Sequence, residues 1–490
     1  MTISFTQIPL DLRVPGTYIE FDSSRAVGGL PGMPHKLLVI GQRLTTGAVA
    51  AEVPTLITSV EQAEQAWGRA SMIAAMFRAL KGANRRTESW GIALDDDGAG
   101  NEADGELAVT GPATGAGTVH LYIAGQRVRA AVADEDTAED VAAALTAAIN
   151  AEGTLPVTAV QGTDVDDHKV LITARHKGVA GNHIDLRLNY QQGELLPAGI
   201  ALAITAMTGG TANPDVADAI AVFGDTQYHT IAMPYTDADN LAALDAELES
   251  RWGPLVMAEG HAFAAHPGTV GALVTFGGGR NGPFVTVMGL GSVPDAPWAW
   301  AAVIAGIDAA EPDPARPRQT LRLPGLLPPA EADAFTPEER EVLLHNGIAT
   351  YTVAQGGTVH IERLITTYQT NVQGVPDPSY LDVTTVRTLA FLRFSARQRM
   401  ALKFGRHKLA DDGTRFAPGQ AIVTPSILRL EYIALARDWE EAGLVENVEQ
   451  FKAELIVERA SGDPNRVNAL LPPDLINQLR VNAAQIQFRL

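Results

Sequence analysis

Apolar and polar positions change period several times along the chain, and the changes outline its parts. "HKLLVIGQ" (35–42) is a nearly continuous apolar run, the pattern of a strand covered on both faces. A helical period follows from about Val60 to Leu80, then a strand-like "SWGIAL" at 89–94. The stretch "DDDGAGNEADG" (95–105) is acidic and Gly-rich and reads as a boundary. Beyond it the period becomes two. Val119, Leu121 and Ile123 alternate with other residues, "KVLITA" continues, and Ile184, Leu186, Leu188 and Ile200, Leu202, Ile204 repeat the pattern. One helix interrupts: Thr137 stands as cap, Asp140 at the capping-box position, and Val141, Leu145 and Ile149 follow at four-residue steps. "MTGGTANPD" (207–215) closes this segment.

The α/β pattern then resumes. "YHTIAMPY" (228–235) reads as a strand, and Thr236 as the cap of a helix presenting Leu241, Leu244, Leu248 and Trp252 on one face. "GALVTF" and "FVTVMGL" read as strands, and 296–309 as a buried helix. A Pro-rich connector covers 311–329. Thr336, Pro337 and Glu339 are placed as cap, N1 and N3 of a further helix, Gly356-Gly357 turn a hairpin, and a long helix spans roughly 382–404. A second hairpin is expected at about 451–459 and 466–471, turning through "SGDPN".

Both termini alternate. Ile3 and Phe5 share one face of "TISFTQI", and Ile486, Phe488 and Leu490 one face of "AAQIQFRL". Upstream, Leu479, Val481 and Ala483 occupy odd positions, so parity switches at Ala483-Ala484, as at a bulge or crossing point. A lone hairpin is marginal in water and has two free edges. The terminal strands are therefore suited to add to such a hairpin in another subunit. Phe451, Leu455, Val457, Val467 and Leu471 are the acceptor candidates.

These periods give a multidomain chain of α/β and α+β class. An extended arm (1–25) precedes an α/β core domain (26–96 and 213–310), into which a β-rich domain (97–212) is inserted; a C-terminal α+β domain (330–478) and a strand arm (479–490) follow. Charge supports the division. Residues 95–211 hold 17 acidic against 6 basic residues, whereas 381–490 hold 13 against 15. Over the 490 residues the net charge is −20, which argues against nucleic acid as a direct partner, since phosphate binding needs a basic footprint. Cysteine is absent, excluding disulfides and thiolate chemistry. No secretory signal or membrane insertion is expected from the first residues or from any apolar run.

Chemistry-bearing motifs are weak. "GGGRNG" (277–282) lacks the Lys-Ser/Thr pair of a phosphate loop and reads as a connecting loop. His261 and His266 are five apart, not four, and "GHAFAAHPG" reads as a loop without a metal site. No G-x-S-x-G elbow occurs. No catalytic residue, metal or cofactor is assigned, and an enzyme on the α/β core is the less favoured alternative. One cluster stands out: "FLRFSARQRMALKFGRHK" (391–408) has six cations and no carboxylate. Arg393 and Arg397, and Arg399 and Lys403, are helical neighbours. They form the polar face of an ordinary amphipathic helix, a docking face for an acidic protein or, least favoured in so acidic a chain, a nucleic-acid contact.

The runs "LLHNGIATYTV", "IERLITTYQTN", "GVPDPSYLDVTTVRTLAFLRFSARQRM", "KFGRHKLADDGTRFAPGQAIVTPS", "LARDWEEAGLVENVEQFKAELIVER" and "LPPDLINQLRVNAAQIQFRL", with "IPLDLRVPGTYIEFD" near the start, resemble the contractile-tail sheath proteins of Mu-like phages. The resemblance implies a non-enzymatic virion subunit that polymerises around a tail tube and contracts to drive the tube through the host envelope. It implies terminal arms exchanged between subunits, an outward-facing 97–212 insertion and a C-terminal sheath domain. The implied partners are further copies, the tail tube protein, and baseplate and terminator proteins, in a virion tail assembled in bacterial cytoplasm. The basic helix would then face the tube. A phage-derived tailocin or related injection system is the alternative setting.

Overall fold

A computed structural model describes residues 13–19, 30–417 and 419–489. Ile3, Phe5 and Leu490 lie outside the described residues. The chain divides into two units, Pro34–Ala390 and Met1–Met33 with Phe391–Leu490.

The first unit is built on a six-stranded sheet in the order Val285–Leu290, His261–Pro267, Thr230–Ala232, Lys36–Gln42, Glu88–Leu94 and Thr55–Leu56. The first five are parallel, and the short last one is an antiparallel edge. Leu37, Leu38, Val39 and Ile40 are all fully buried, which requires cover on both faces and explains their continuous apolar run. Strand order reverses at Lys36–Gln42, so right-handed crossovers place helices on opposite faces. Val60–Trp67 and Met72–Ala83 lie on one face, joined there by Pro297–Ala310, which packs on Met72–Ala83. Ala238–Trp252 and Val270–Gly278 lie on the other.

Four sequence expectations are corrected here. The helical stretch 60–80 is two helices, because Gly68 takes φ 92° and Ser71 caps the second by accepting from the Ala74 N–H. "GALVTF" is helical: Thr269 accepts from the Ala272 N–H, and Val270, Leu273 and Phe276 then fall on one buried side. "GHAFAAHPG" contains strand His261–Pro267, whose small alanines fit between two helix layers. The helix after residue 236 is capped by Asp237, while the Thr236 hydroxyl is spent on His266 Nδ1 at 2.7 Å.

Residues 101–211 carry their own sheets. A four-stranded antiparallel one runs Ala201–Thr208, Glu102–Thr110, Lys169–Lys177, Val157–Gln161, and a three-stranded one runs Gln126–Val132, Gly117–Ile123, Leu186–Leu188. Glu102–Thr110 alternates buried and exposed positions along its length, the signature of one covered face. Helix Ala138–Ala151 closes the core with Val141, Leu145 and Ile149, its start held by the reciprocal Thr137–Asp140 capping box. Helix Pro337–Leu344 starts with the same device at Thr336 and Glu339, and hairpin Thr350–Ala354/Thr358–Arg363 follows.

In the second unit, the continuation of helix Val383–Phe404 packs on Pro425–Glu441, where the Trp439 indole N–H donates to Ser395 Oγ at 2.9 Å. Val448–Glu454 is helical, which corrects the expected strand around Phe451: Val448 and Phe451 both bury their side chains, a three-residue spacing no strand provides. The hairpin is therefore shorter, Ile456–Arg459 paired with Val467–Leu470.

Candidate assembly interface

The carboxyl edge of a parallel sheet, where strand order reverses, is where α/β folds hold ligands. Here that edge is filled from within the unit. Asp96 accepts from Gln42 Nε2 (2.7 Å), His176 Nδ1 (3.0 Å) and the Lys177 N–H (3.1 Å). His176 Nε2 accepts from the Met72 N–H at 3.1 Å and so covers the start of helix Met72–Ala83, the position suited to an anion. Burial pushes the Asp96 carboxyl up, but its hydrogen bonds outweigh burial and hold it below the usual range. The remaining motif residues are structural. His261 is fully buried, shares a 2.8 Å hydrogen bond with Thr286 Oγ1, and is pushed down to about 3 by burial and by Arg387. His266 stacks on Phe276. The "GGGRNG" loop is stitched to 367–370: Asn281 Oδ1 accepts from the Gln369 and Thr370 N–H groups, and Thr367 Oγ1 bonds Gly282.

One buried cluster was not legible in the sequence. Asp308, in the otherwise apolar helix Pro297–Ala310, accepts from Arg318 Nε at 3.0 Å and from Arg387 at 3.0 and 2.5 Å, all deeply buried. Arg387 also donates to His229 O and to Thr230 Oγ1. His35 shares a hydrogen bond with the same hydroxyl, and its ring stacks on His229 at 5.0 Å. Burial raises the Asp308 carboxyl, yet the two guanidiniums overcome it and keep it well below the carboxylate range. Burial and Arg387 push His35 down to about 3 and His229 to about 4, so both rings stay neutral. The cluster fastens the first turns of helix Val383–Phe404 to the sheet. It is a tie and offers no accessible reacting group.

The basic stripe divides. Arg399 pairs with Glu431 and Asp438, and Lys403 with Glu431 at 2.6 Å, all on helix Pro425–Glu441. Arg393 is half-buried and Arg397 exposed.

The acceptor candidates also divide. Phe451 and Leu455 are buried at the end of helix Val448–Glu454. Val457 and Val467 are half-buried hairpin residues, and Leu471 follows directly after the second strand. Sequence reading missed the cross-strand pair Ile456 and Leu470, directly opposite each other and 53% and 58% exposed. Among the described residues this hairpin is a two-stranded sheet. The segment 476–489 forms no strand there, and it exposes Leu479, Val481, Ile486 (89%) and Phe488 (80%). An exposed apolar alternating segment and a hairpin with an exposed apolar pair thus occur in one unit.

Residues 209–367 match the model of the phage tail sheath protein central domain, and 375–489 that of the phage tail sheath C-terminal domain. The chain is 44% identical over its full length, and over the full length of that protein, to the Mu-like prophage FluMu tail sheath protein of Haemophilus influenzae. Among solved structures it is similar to a sheath tail protein from Desulfitobacterium hafniense (14% identity, 94% of this chain and 100% of that one, TM-score 0.47). It is also similar to one from Listeria innocua (12%, 92% and 94%, TM-score 0.49).

Proposed function

This chain belongs to the phage tail sheath family, and from that premise we propose how its subunits join. It is a structural subunit of a contractile tail sheath, polymerised around a tail tube and shortening to drive that tube through the host envelope. The carrying observation is the exposed, alternating 476–489 segment in the same unit as a hairpin with an exposed Ile456–Leu470 pair. Residues Ile486 and Phe488 of one copy, with Leu490 beyond them, add as a strand to the Ile456–Arg459/Val467–Leu470 hairpin of the next. Each backbone hydrogen bond so formed contributes about 1 kcal/mol net, and the apolar pair gains cover. The alternation of Ile3 and Phe5 gives the N-terminal arm the same capacity. Linked this way, subunits stay joined while their domains turn as rigid bodies.

The 97–212 insertion is the outward-facing part, since its strongly acidic surface suits solvent. The basic stripe of Arg393, Arg397, Arg399 and Lys403 is the tube-facing candidate, and Arg397 is its most exposed arginine. Tail tube, baseplate and terminator proteins are the expected partners, in a virion tail assembled in bacterial cytoplasm, or in a tailocin built on the same plan.

Negative-stain microscopy of the purified chain tests the reading: tubes or rings are expected, and only small monodisperse particles would overturn it. Removing 483–490 tests the arms. Loss of polymer with an intact monomer is expected, whereas normal polymers from the shortened chain would exclude strand exchange through this segment.

A further inference from the structure

A chain that joins its copies by strand addition must keep its other sheet edges out of the reaction, because an open edge offers backbone groups to any strand. The four-stranded sheet of the insertion ends in such an edge, Val157–Gln161. Its side chains favour pairing. Residues 154–163, "TLPVTAVQGT", carry no charge in a chain of net −20. Val160 is 64% exposed and stands directly opposite Leu171, itself 44% exposed, and Val165 in the following turn is 86% exposed. Ile456 and Leu470 make the same kind of exposed cross-strand apolar pair in the C-terminal hairpin.

The two edges differ at their backbones. The Gly162 N–H donates to Lys169 O at 2.9 Å and the Arg175 N–H to Pro156 O at 2.8 Å. Thr158 and Val160 therefore bond inward to Lys169–Lys177, and Ala159 turns its N–H and C=O outward. One side chain takes both outward groups. Asn150, in the last turn of helix Ala138–Ala151, accepts from the Ala159 N–H through Oδ1 at 3.0 Å and donates to Ala159 O through Nδ2 at 2.7 Å. An Asn amide carries the same donor and acceptor as a peptide group, so it fills the place of the next strand. The insertion's other edges are blunted by other means. The ladder of Ala201–Thr208 slips between Thr205 and Thr208, Gln126–Val132 exposes Arg127 and Arg129, and Leu186–Leu188 is only three residues long. Among the described residues no side chain bonds the backbone of Ile456–Arg459 or Val467–Leu470.

We propose that Asn150 is a specificity-determining residue of assembly: it stands in for a neighbouring strand at Ala159, closes the insertion's edge, and leaves strand addition between copies to the Ile456–Arg459/Val467–Leu470 hairpin. The inference deepens the strand-exchange reading and rests on it. On an outward-facing insertion a freed edge would lie on the outside of the sheath, where it would pair one polymer with another.

Asn150→Ala in the full-length chain gives the test. Asn150 is exposed and alanine is the better helix former, so the subunit should melt as before. The Ala159 amide, followed by hydrogen exchange, should exchange several-fold faster. Polymers should gather into side-by-side bundles, read by turbidity and microscopy. Adding Val160→Lys, which puts a charge on the freed edge, should disperse them, and Val160→Lys alone should leave polymers unchanged. Unaltered exchange at Ala159 would overturn the proposal, as would dispersed polymers from Asn150→Ala or bundles that survive Val160→Lys. Early melting would make Asn150 a residue of the fold and equally overturn it. Sedimentation scores self-association of the Asn150→Ala chain with or without polymers, so the parent readings fail separately. An unsubstituted chain that never polymerises counts against the sheath reading, and normal polymers without 483–490 count against strand exchange.

Discussion

Asp308 and Phe488 mark two contrasting ways of leaving a group in a folded chain. Asp308 is a charge inside a core, with every neighbour arranged to hold it: two guanidiniums, a backbone carbonyl and hydroxyl on Arg387, and neutral histidines around them. Phe488 is a large apolar side chain 80% in solvent, on backbone with no strand assigned. The first costs several kcal/mol to desolvate and is stable only because its partners are internal. The second leaves apolar area in water, uncovered among the described residues. Unit Pro34–Ala390 is therefore complete around its centre, whereas the unit containing 391–489 carries unfilled bonding capacity at its surface.

Breaking the internal side should have the largest effect on the isolated subunit. Asp308→Ala leaves two buried arginines uncompensated and should cost about 3–5 kcal/mol, read by urea denaturation of the monomer. Acid should attack the same centre. The folded state holds His35, His229 and His261 far below their ordinary 6.5. Their contribution is thus present above pH 6.5 and declines as pH falls toward 3–4, because the unfolded chain takes up protons the folded one refuses. Asp308, held low, keeps its own contribution until below its ordinary value of 3.8. The histidine contribution to urea midpoints should be level above pH 6.5 and fall from there toward pH 4, and its absence would mean the histidines are solvated.

A smaller loss is expected from Arg399→Glu, which places a third carboxylate beside Glu431 and Asp438. About 1–2 kcal/mol, the scale of a partly buried charged hydrogen bond, should appear in thermal melts. The smallest change to the monomer should come from Ile486→Ser with Phe488→Ser, again within about 0.5 kcal/mol. That variant should nonetheless lose polymer in a pelleting assay. If it melts early instead, these side chains pack within their own subunit and the contrast with Asp308 fails.

Legibility in the sequence follows the range of the interactions involved. The Thr137–Asp140 and Thr336–Glu339 capping boxes, the turn at Gly356-Gly357 and the long helix over 383–404 depend on residues a few positions apart, and their signals were plain. Val270–Gly278 and His261–Pro267 were misread because short apolar runs look alike whether they coil or extend, and burial between layers decides. Phe451 was misread for the same reason, at the join between helix Val448–Glu454 and strand Ile456–Arg459. Asp308 could not be read at all, since its partner Arg387 lies 79 positions away. The terminal alternation was legible, but the exposed Ile456–Leu470 pair was not, because register between hairpin strands shifts which residues meet.

Position along the chain also sets a timetable. Ribosomes add roughly 5–20 residues per second, so the Lys36–Gln42 strand and its sheet partners through Val285–Leu290 are made well before Ile456 and Phe488. The sheet can form while the hairpin and the 476–489 segment are still untranslated. Nascent chains on one message would then mature side by side without their backbones knitting together, and strand pairing between copies would begin only after the bulk of each subunit is already shaped.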